Sequence, residues 1–248
     1  MVKGLDTFWK YFADYEEQYV LIGGAACDIL FESNEVNFRA TRDLDMVLIV
    51  EALTPEFGEM FWKFIVDGKY RNKATNGNTP QFYRFDKPED DKFPKMIELF
   101  CRSDFKLKDA KGITPIHIDD EVSSLSAILL NDDYYKALLH GKEVRKGLSV
   151  LRPEYIILFK AKAYLELKRQ KDLGEKVDSS DIKKHKKDVL RIASELMLEK
   201  VEELPIAVDA DIHSFIDLLE QEPFDQNSLK RYGLKNEDVV EVLKQVFG

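Results

Sequence analysis

The hydrophobic pattern changes character once along the chain. In the first part, short β-prone runs alternate with helical stretches. Residues 5–17 read as an amphipathic helix, and Tyr19–Ile22 is a brief apolar run that stops at Gly23-Gly24. Ala25–Phe31 is helical in composition, and Leu44–Val50 (LDMVLIV) has the length and residue content of a buried strand. Pro55 suits the first turn of a helix predicted to run to about Val66. Residues 67–80 are rich in turn formers. Gln81–Phe85 and Lys95–Cys101 are predicted strands separated by the polar turn DKPEDDKFP, and Thr114–Ile118 and Ser126–Leu130 are predicted as shorter ones. After Arg152-Pro153 the pattern is helical: residues 154–171, a second helix capped by Ser179 or Ser180 and running to about Glu199, then 210–221 and 235–247. The expectation is an α/β region over 1–152 and a helical region over 153–248, with no internal repeat.

Composition narrows the class. The 248 residues are 44% hydrophobic and 33% charged, enough for a sizeable core. The longest fully apolar stretches fall far short of the roughly 20 residues a membrane span needs, and Asp6 and Lys10 interrupt what a signal peptide would keep apolar. A cytoplasmic protein that does not enter a membrane is expected. Cys27 and Cys101 lie in apolar segments without metal-ligand spacing, which suits reduced core thiols. Net charge is −9, but the segment 160–191 holds eleven Lys/Arg against six Asp/Glu, a local +5 on a remainder of −14. Such a segment is a solvated helix face or a place where an anion docks.

Three acids sit where acids are costly. Asp43 and Asp45 alternate along a strand and point to one side, followed on that side by Val47 and Ile49. Like charges so close repel, desolvation adds to the cost, and a divalent cation relieves both. Glu98 interrupts Met96-Ile97-Glu98-Leu99-Phe100, the middle of another strand, so either a Lys/Arg or a metal must meet it. Three carboxylates on two strands suit Mg²⁺ or Mn²⁺, which take hard oxygen ligands together with substrate phosphates. Gly23-Gly24, between a strand and a helix, permits close backbone approach to a phosphate at a helix N-terminus. Arg39 and Arg42 flank Thr41 just ahead of the acids, and arginine binds phosphate oxygens bidentately.

The order Gly23-Gly24, then Arg39-Ala40-Thr41-Arg42-Asp43-Leu44-Asp45, then Glu98 resembles the signature of the DNA polymerase β-like nucleotidyltransferase superfamily. Within it, residues 15–195 look most like the AbiEii/AbiGii-type toxin nucleotidyltransferases. The resemblance implies an α/β (α+β) fold, a mixed sheet flanked by helices and followed by a C-terminal helical domain. It also implies metal-dependent transfer of a nucleoside monophosphate from an NTP such as ATP or GTP to an acceptor. Asp43, Asp45 and Glu98 would be the catalytic metal ligands, and Gly23, Gly24, Arg39, Thr41 and Arg42 would bind nucleotide. The family's K-x-x-A helix reads here Lys160-Ala161-Lys162-Ala163. Lys160 falls within the apolar arc of Ile156, Ala163 and Leu167, where it must snorkel or meet an anion. The next family motif departs from its usual R-D-x-x-D form. Asp181, Lys184, His185 and Asp188 share a helix face, where they frame the nucleotide or pair with each other. That departure leaves the nucleotide and the acceptor open. RNA or tRNA and a cognate antitoxin are the implied partners of a toxin. A small-molecule, antibiotic-type nucleotidyltransferase and a silent nucleotide-binding module are the alternatives.

Overall fold

The computed structural model describes residues 3–32, 43–72, 82–101 and 131–248. The chain divides into two compact units, one of Met1–Asp119 with Lys142–Arg152 and the other of Asp120–Gly141 with Pro153–Gly248.

Among the described residues the first unit is built on a mixed seven-stranded sheet. In chain order its elements are α1 (Leu5–Phe12), β1 (Tyr19–Ile22), α2 (Gly23–Glu32), β2 (Asp43–Leu48), α3 (Pro55–Asp67), β3 (Arg71–Asn72), β4 (Phe82–Asp86) and β5 (Met96–Cys101), with β6 (Lys142–Arg145) and β7 (Leu148–Leu151) returning from later in the chain. The strand order is β3-β4-β5-β2-β1-β7-β6. The central strands β1 and β2 are antiparallel, whereas β2–β5 and β1–β7 are parallel. β1 is buried along its whole length, as its unbroken Tyr-Val-Leu-Ile demands. An aromatic cluster joins α1 and α3 to the sheet: Phe8 stacks on Phe12 at 4.4 Å, Phe12 meets Phe64 edge-on at 5.3 Å, and Phe61 meets Phe85 at 5.5 Å. Burying such rings is the largest apolar contribution a side chain can make to a core. Thr54 caps α3 by accepting from the Phe57 amide, with Pro55 at the first helical position.

The sheet has more strands than periodicity revealed. β6 and β7 form a hairpin that the sequence reading missed, closed by Lys146-Gly147 with φ of 53° and 72°. Two positive φ values make the mirror-image turn that hairpin twist prefers, but here Lys stands where Asn or Asp would have announced it. Gly147 also lies against Trp9, whose Nε1 would be 2.6 Å from an added Cβ. β3 is two residues inside the stretch read as turn. The predicted strands Thr114–Ile118 and Ser126–Leu130 lie outside the described residues.

The second unit is helical: α4 (Asp132–His140), α5 (Pro153–Asp172), α6 (Ser179–Glu195), α7 (Ile206–Gln221), α8 (Gln226–Tyr232) and α9 (Asn236–Phe247). The mixed α/β (α+β) sheet with flanking helices, followed by C-terminal helices, is the fold class read from the sequence. α5 is buried on all sides over its first two turns, Ile156, Ile157, Leu158 and Phe159 included, and buries Leu167 further along, as the core helix of its unit. The cap of α6 is Asp178, which accepts from the Ser180 amide at 2.8 Å, rather than either serine. α6 ends at Glu195, short of the expected Glu199, where Leu196 adopts an extended backbone. α4 and α8 were not anticipated; both are capped by side chains, Asn131 and Asp225. Among the described residues no helix is long and apolar enough to cross a membrane. Cys27 is buried in α2, and Cys101 ends β5.

Candidate active site in the sheet unit

The β2–β5 register brings the anomalous acids together. Asp45 lies directly opposite Glu98 on the neighbouring parallel strand, so both side chains leave the same face of the sheet. Asp43, two residues back on β2, faces that side as well. Both aspartates are half-buried, whereas Glu98 is buried at 6% exposure. On the other side of β2, Asp45 pairs with Ile22, the last residue of β1.

Gly23 completes the constellation. It opens α2 directly from the end of β1 with φ +60°, and a Cβ placed on it would overlap Asp45 Oδ2. Only glycine tolerates both demands, a left-handed backbone and carboxylate contact. Gly24 is buried in the first turn of the same helix. We expect Gly23→Ala to lower stability by about 1–2 kcal/mol for the backbone alone, and to push the Asp45 carboxylate aside. A urea midpoint equal to that of the wild type would refute the close approach.

Glu98 answers the question its sequence position raised. Arg84 stands opposite it on β4, and its guanidinium binds Glu98 Oε1 through Nε at 2.8 Å and through a terminal nitrogen at 2.6 Å. Sequence reasoning missed Arg84, although two strands joined by one polar turn already imply an antiparallel register. The environment of Glu98 is divided. Burial foremost, and then the charge of Asp45, raise its pKa; Arg84 opposes them, and the carboxyl ends pushed up to about 8. The nearness of Asp45 thus favours the protonated form of Glu98, which can donate to a neighbouring carboxylate.

A hard cation fits this donor set by its chemistry. Two neighbouring carboxyl groups that repel when both are ionised are groups a divalent ion would relieve. Among the described residues, however, no group of three or more His, Cys, Asp or Glu has the geometry to hold a metal ion. Arg39, Thr41 and Arg42 lie outside the described residues.

The residues expected to bind nucleotide from the helical unit are placed as follows. Lys160 on α5 meets Asp188 on α6, Nζ to Oδ2 at 3.1 Å, and both side chains are largely buried. His185 is buried at 7% exposure and Lys184 is half-buried on the same helix. Lys160, expected to snorkel or to meet an anion, thus meets the Asp188 carboxylate.

No protein-family model matches the chain, and neither does any curated protein. A solved structure described as an antigenic nucleotidyltransferase-like protein from Paracoccidioides brasiliensis is similar at 16% identity and a TM-score of 0.49, over 98% of this chain and 93% of that one.

Proposed function

We propose that this chain is a nucleotidyltransferase that moves a nucleoside monophosphate from an NTP to an acceptor hydroxyl and releases pyrophosphate. The observation that carries the reading is the convergence of Gly23, Asp45 and Glu98 from three separate segments onto one face of the sheet. This is the set whose order along the chain resembles the polymerase β-like signature.

In this reading Asp45 and Glu98, with Asp43 beside them, hold Mg²⁺ or Mn²⁺, which when bound supplies charge neutralisation to the triphosphate. The N-terminus of α2, reached through Gly23 and Gly24, offers backbone N–H groups to phosphate oxygens. Glu98, whose basicity burial has raised, takes the proton of the acceptor hydroxyl. Arg39, Thr41 and Arg42 are proposed phosphate contacts, as are Lys184 and Lys160, with His185 and Asp188 near the base. A toxin that modifies RNA or tRNA and is held in check by an antitoxin is the biological setting we favour.

The Arg84 ion pair favours a second reading, a nucleotide-binding module without turnover, because it already occupies Glu98. One experiment separates the two. Purified protein is incubated with Mg²⁺, each α-labelled NTP in turn, and total RNA or small-molecule acceptors. Transfer is expected with the wild type and is expected to fall at least about a hundredfold in Asp45→Asn, the scale of removing one group that steadies developing charge. NTP binding without transfer to any acceptor would leave only the module.

A further inference from the structure

The helical unit contains a cavity of about 570 Å³ walled by α5, α6 and the segment that leads into α8. It lies on the arc of α6 opposite Asp181, Lys184, His185 and Asp188 and is separate from that face. Five of its lining residues are lysines: Lys168, Lys171, Lys183, Lys186 and Lys187. They face three acids, Asp172, Glu222 and Asp225. Ile182, Leu190 and Pro223 supply apolar wall.

Two of these acids, Asp225 and Glu222, are already engaged. The Asp225 carboxylate caps α8 through the amide and hydroxyl of Ser228, each at 2.9 Å. Glu222 takes Lys168 at 2.9 Å and the Tyr164 hydroxyl at 3.3 Å. Lys171 donates to Ser179 Oγ, a neutral partner. Lys186 donates to the backbone carbonyls of Glu222 and Pro223, and its ammonium stands 5.6 Å from the Tyr164 ring centroid and 5.5 Å from that of Phe224. Carbonyls and ring faces hold a cation in place without cancelling its charge. Lys183 and Lys187, one turn apart, are exposed at the rim.

Five lysines against three acids leave the cavity lining with an excess of two positive charges. Elsewhere in the segment 160–191 Lys160, Lys162, Arg169 and Arg191 each have a carboxylate partner. The cavity combines a nucleotide-scale volume, an apolar wall and surplus ammonium groups. We propose that it binds an organic phosphate of nucleotide size, its phosphate on the lysines and its ring system against Ile182, Leu190 and Pro223. Burial lowers the pKa of Lys186, consistent with a poorly hydrated ammonium that gains from an added anion.

Pyridoxal 5′-phosphate is a suitable probe, being an aromatic phosphate with an aldehyde. A neutral lysine amine adds to the aldehyde and loses water to give an imine, which borohydride reduces to a stable secondary amine. The full chain is labelled in EDTA and peptide-mapped, with pyridoxal as the phosphate-free control. We expect label on the cavity lysines ahead of Lys10 and Lys136, little label from pyridoxal, and protection by ADP. Lys183→Ala/Lys187→Ala, which alters only exposed side chains, is expected to weaken ADP protection about tenfold or more. The same pattern in Asp45→Asn would show the site to be independent of the proposed active site. Uniform labelling of exposed lysines, equal labelling by pyridoxal, or unchanged protection in the double variant would overturn the proposal. Protection by single-stranded RNA but not by ADP would also overturn it and assign the cavity to nucleic acid.

Discussion

Glu98→Gln is expected to make the metal-free protein more stable than the wild type at pH 8, while the two are nearly equal at pH 5. The Glu98 carboxyl is raised from its ordinary value of 4.5 to about 8 by burial and by Asp45. Between those values the native protein holds a proton that the unfolded chain has released. Stability must therefore fall as pH rises through this window, with a slope approaching 1.4 kcal/mol per unit for one proton. Across the window the loss is on the order of 3–5 kcal/mol. Glutamine stays neutral throughout, and its amide oxygen still accepts from Arg84, so the variant lacks this loss. Urea denaturation in EDTA at half-unit steps from pH 5 to 8 reads the difference. Parallel curves for the two proteins would mean that Arg84 keeps Glu98 ionised in the native state. A proton held by Glu98 would then play no part at this site.

The sheet's centre was legible because its chemistry is local. β1 is an unbroken apolar run, β2 and β5 are apolar apart from their acids, and Gly23-Gly24 marks the exit from β1. The pleat placed Asp43 and Asp45 on one side, and the polar interruption of β5 singled out Glu98. What the pattern could not supply was register across strands. Nothing within Met96–Cys101 says that Asp45 stands opposite Glu98, or that Arg84 does so from the other edge. The missed elements failed for their own reasons. β3 is too short to show a period, β6–β7 turns on a lysine forced to positive φ, and α4 and α8 have only seven to nine residues and depend on their caps. The lysine cavity was visible only as a charge excess. Its walls come from residues 164–190 and 222–228, and a helical wheel of α6 alone does not reveal what the opposite wall is.

Asp188→Ala is expected to cost about 3–5 kcal/mol, the range for stranding one partner of a buried ion pair. Lys160 and Asp188 meet at 3.1 Å with side-chain exposures of 13% and 7%, so water screens them little. Lys160 lies on the helix that forms the unit's core, among Ile156, Ala163 and Leu167, and has limited room to carry its charge elsewhere. The pair itself contributes far less than this figure, because burying both ions has already cost most of their attraction. The double variant Lys160→Met/Asp188→Leu, which removes both charges and puts apolar side chains of similar branching in their place, is therefore expected to lie within about 1 kcal/mol of the wild type. Chemical denaturation of the wild type, both single variants and the double variant closes the cycle. If Asp188→Ala cost no more than about 1 kcal/mol, as at an exposed pair, the Lys160 stem would have to carry its ammonium to water. The same lysine would then be available to a triphosphate without first leaving Asp188. A large cost with a neutral double variant means the opposite: Lys160 serves the fold first, and a nucleotide would have to compete with Asp188 for it.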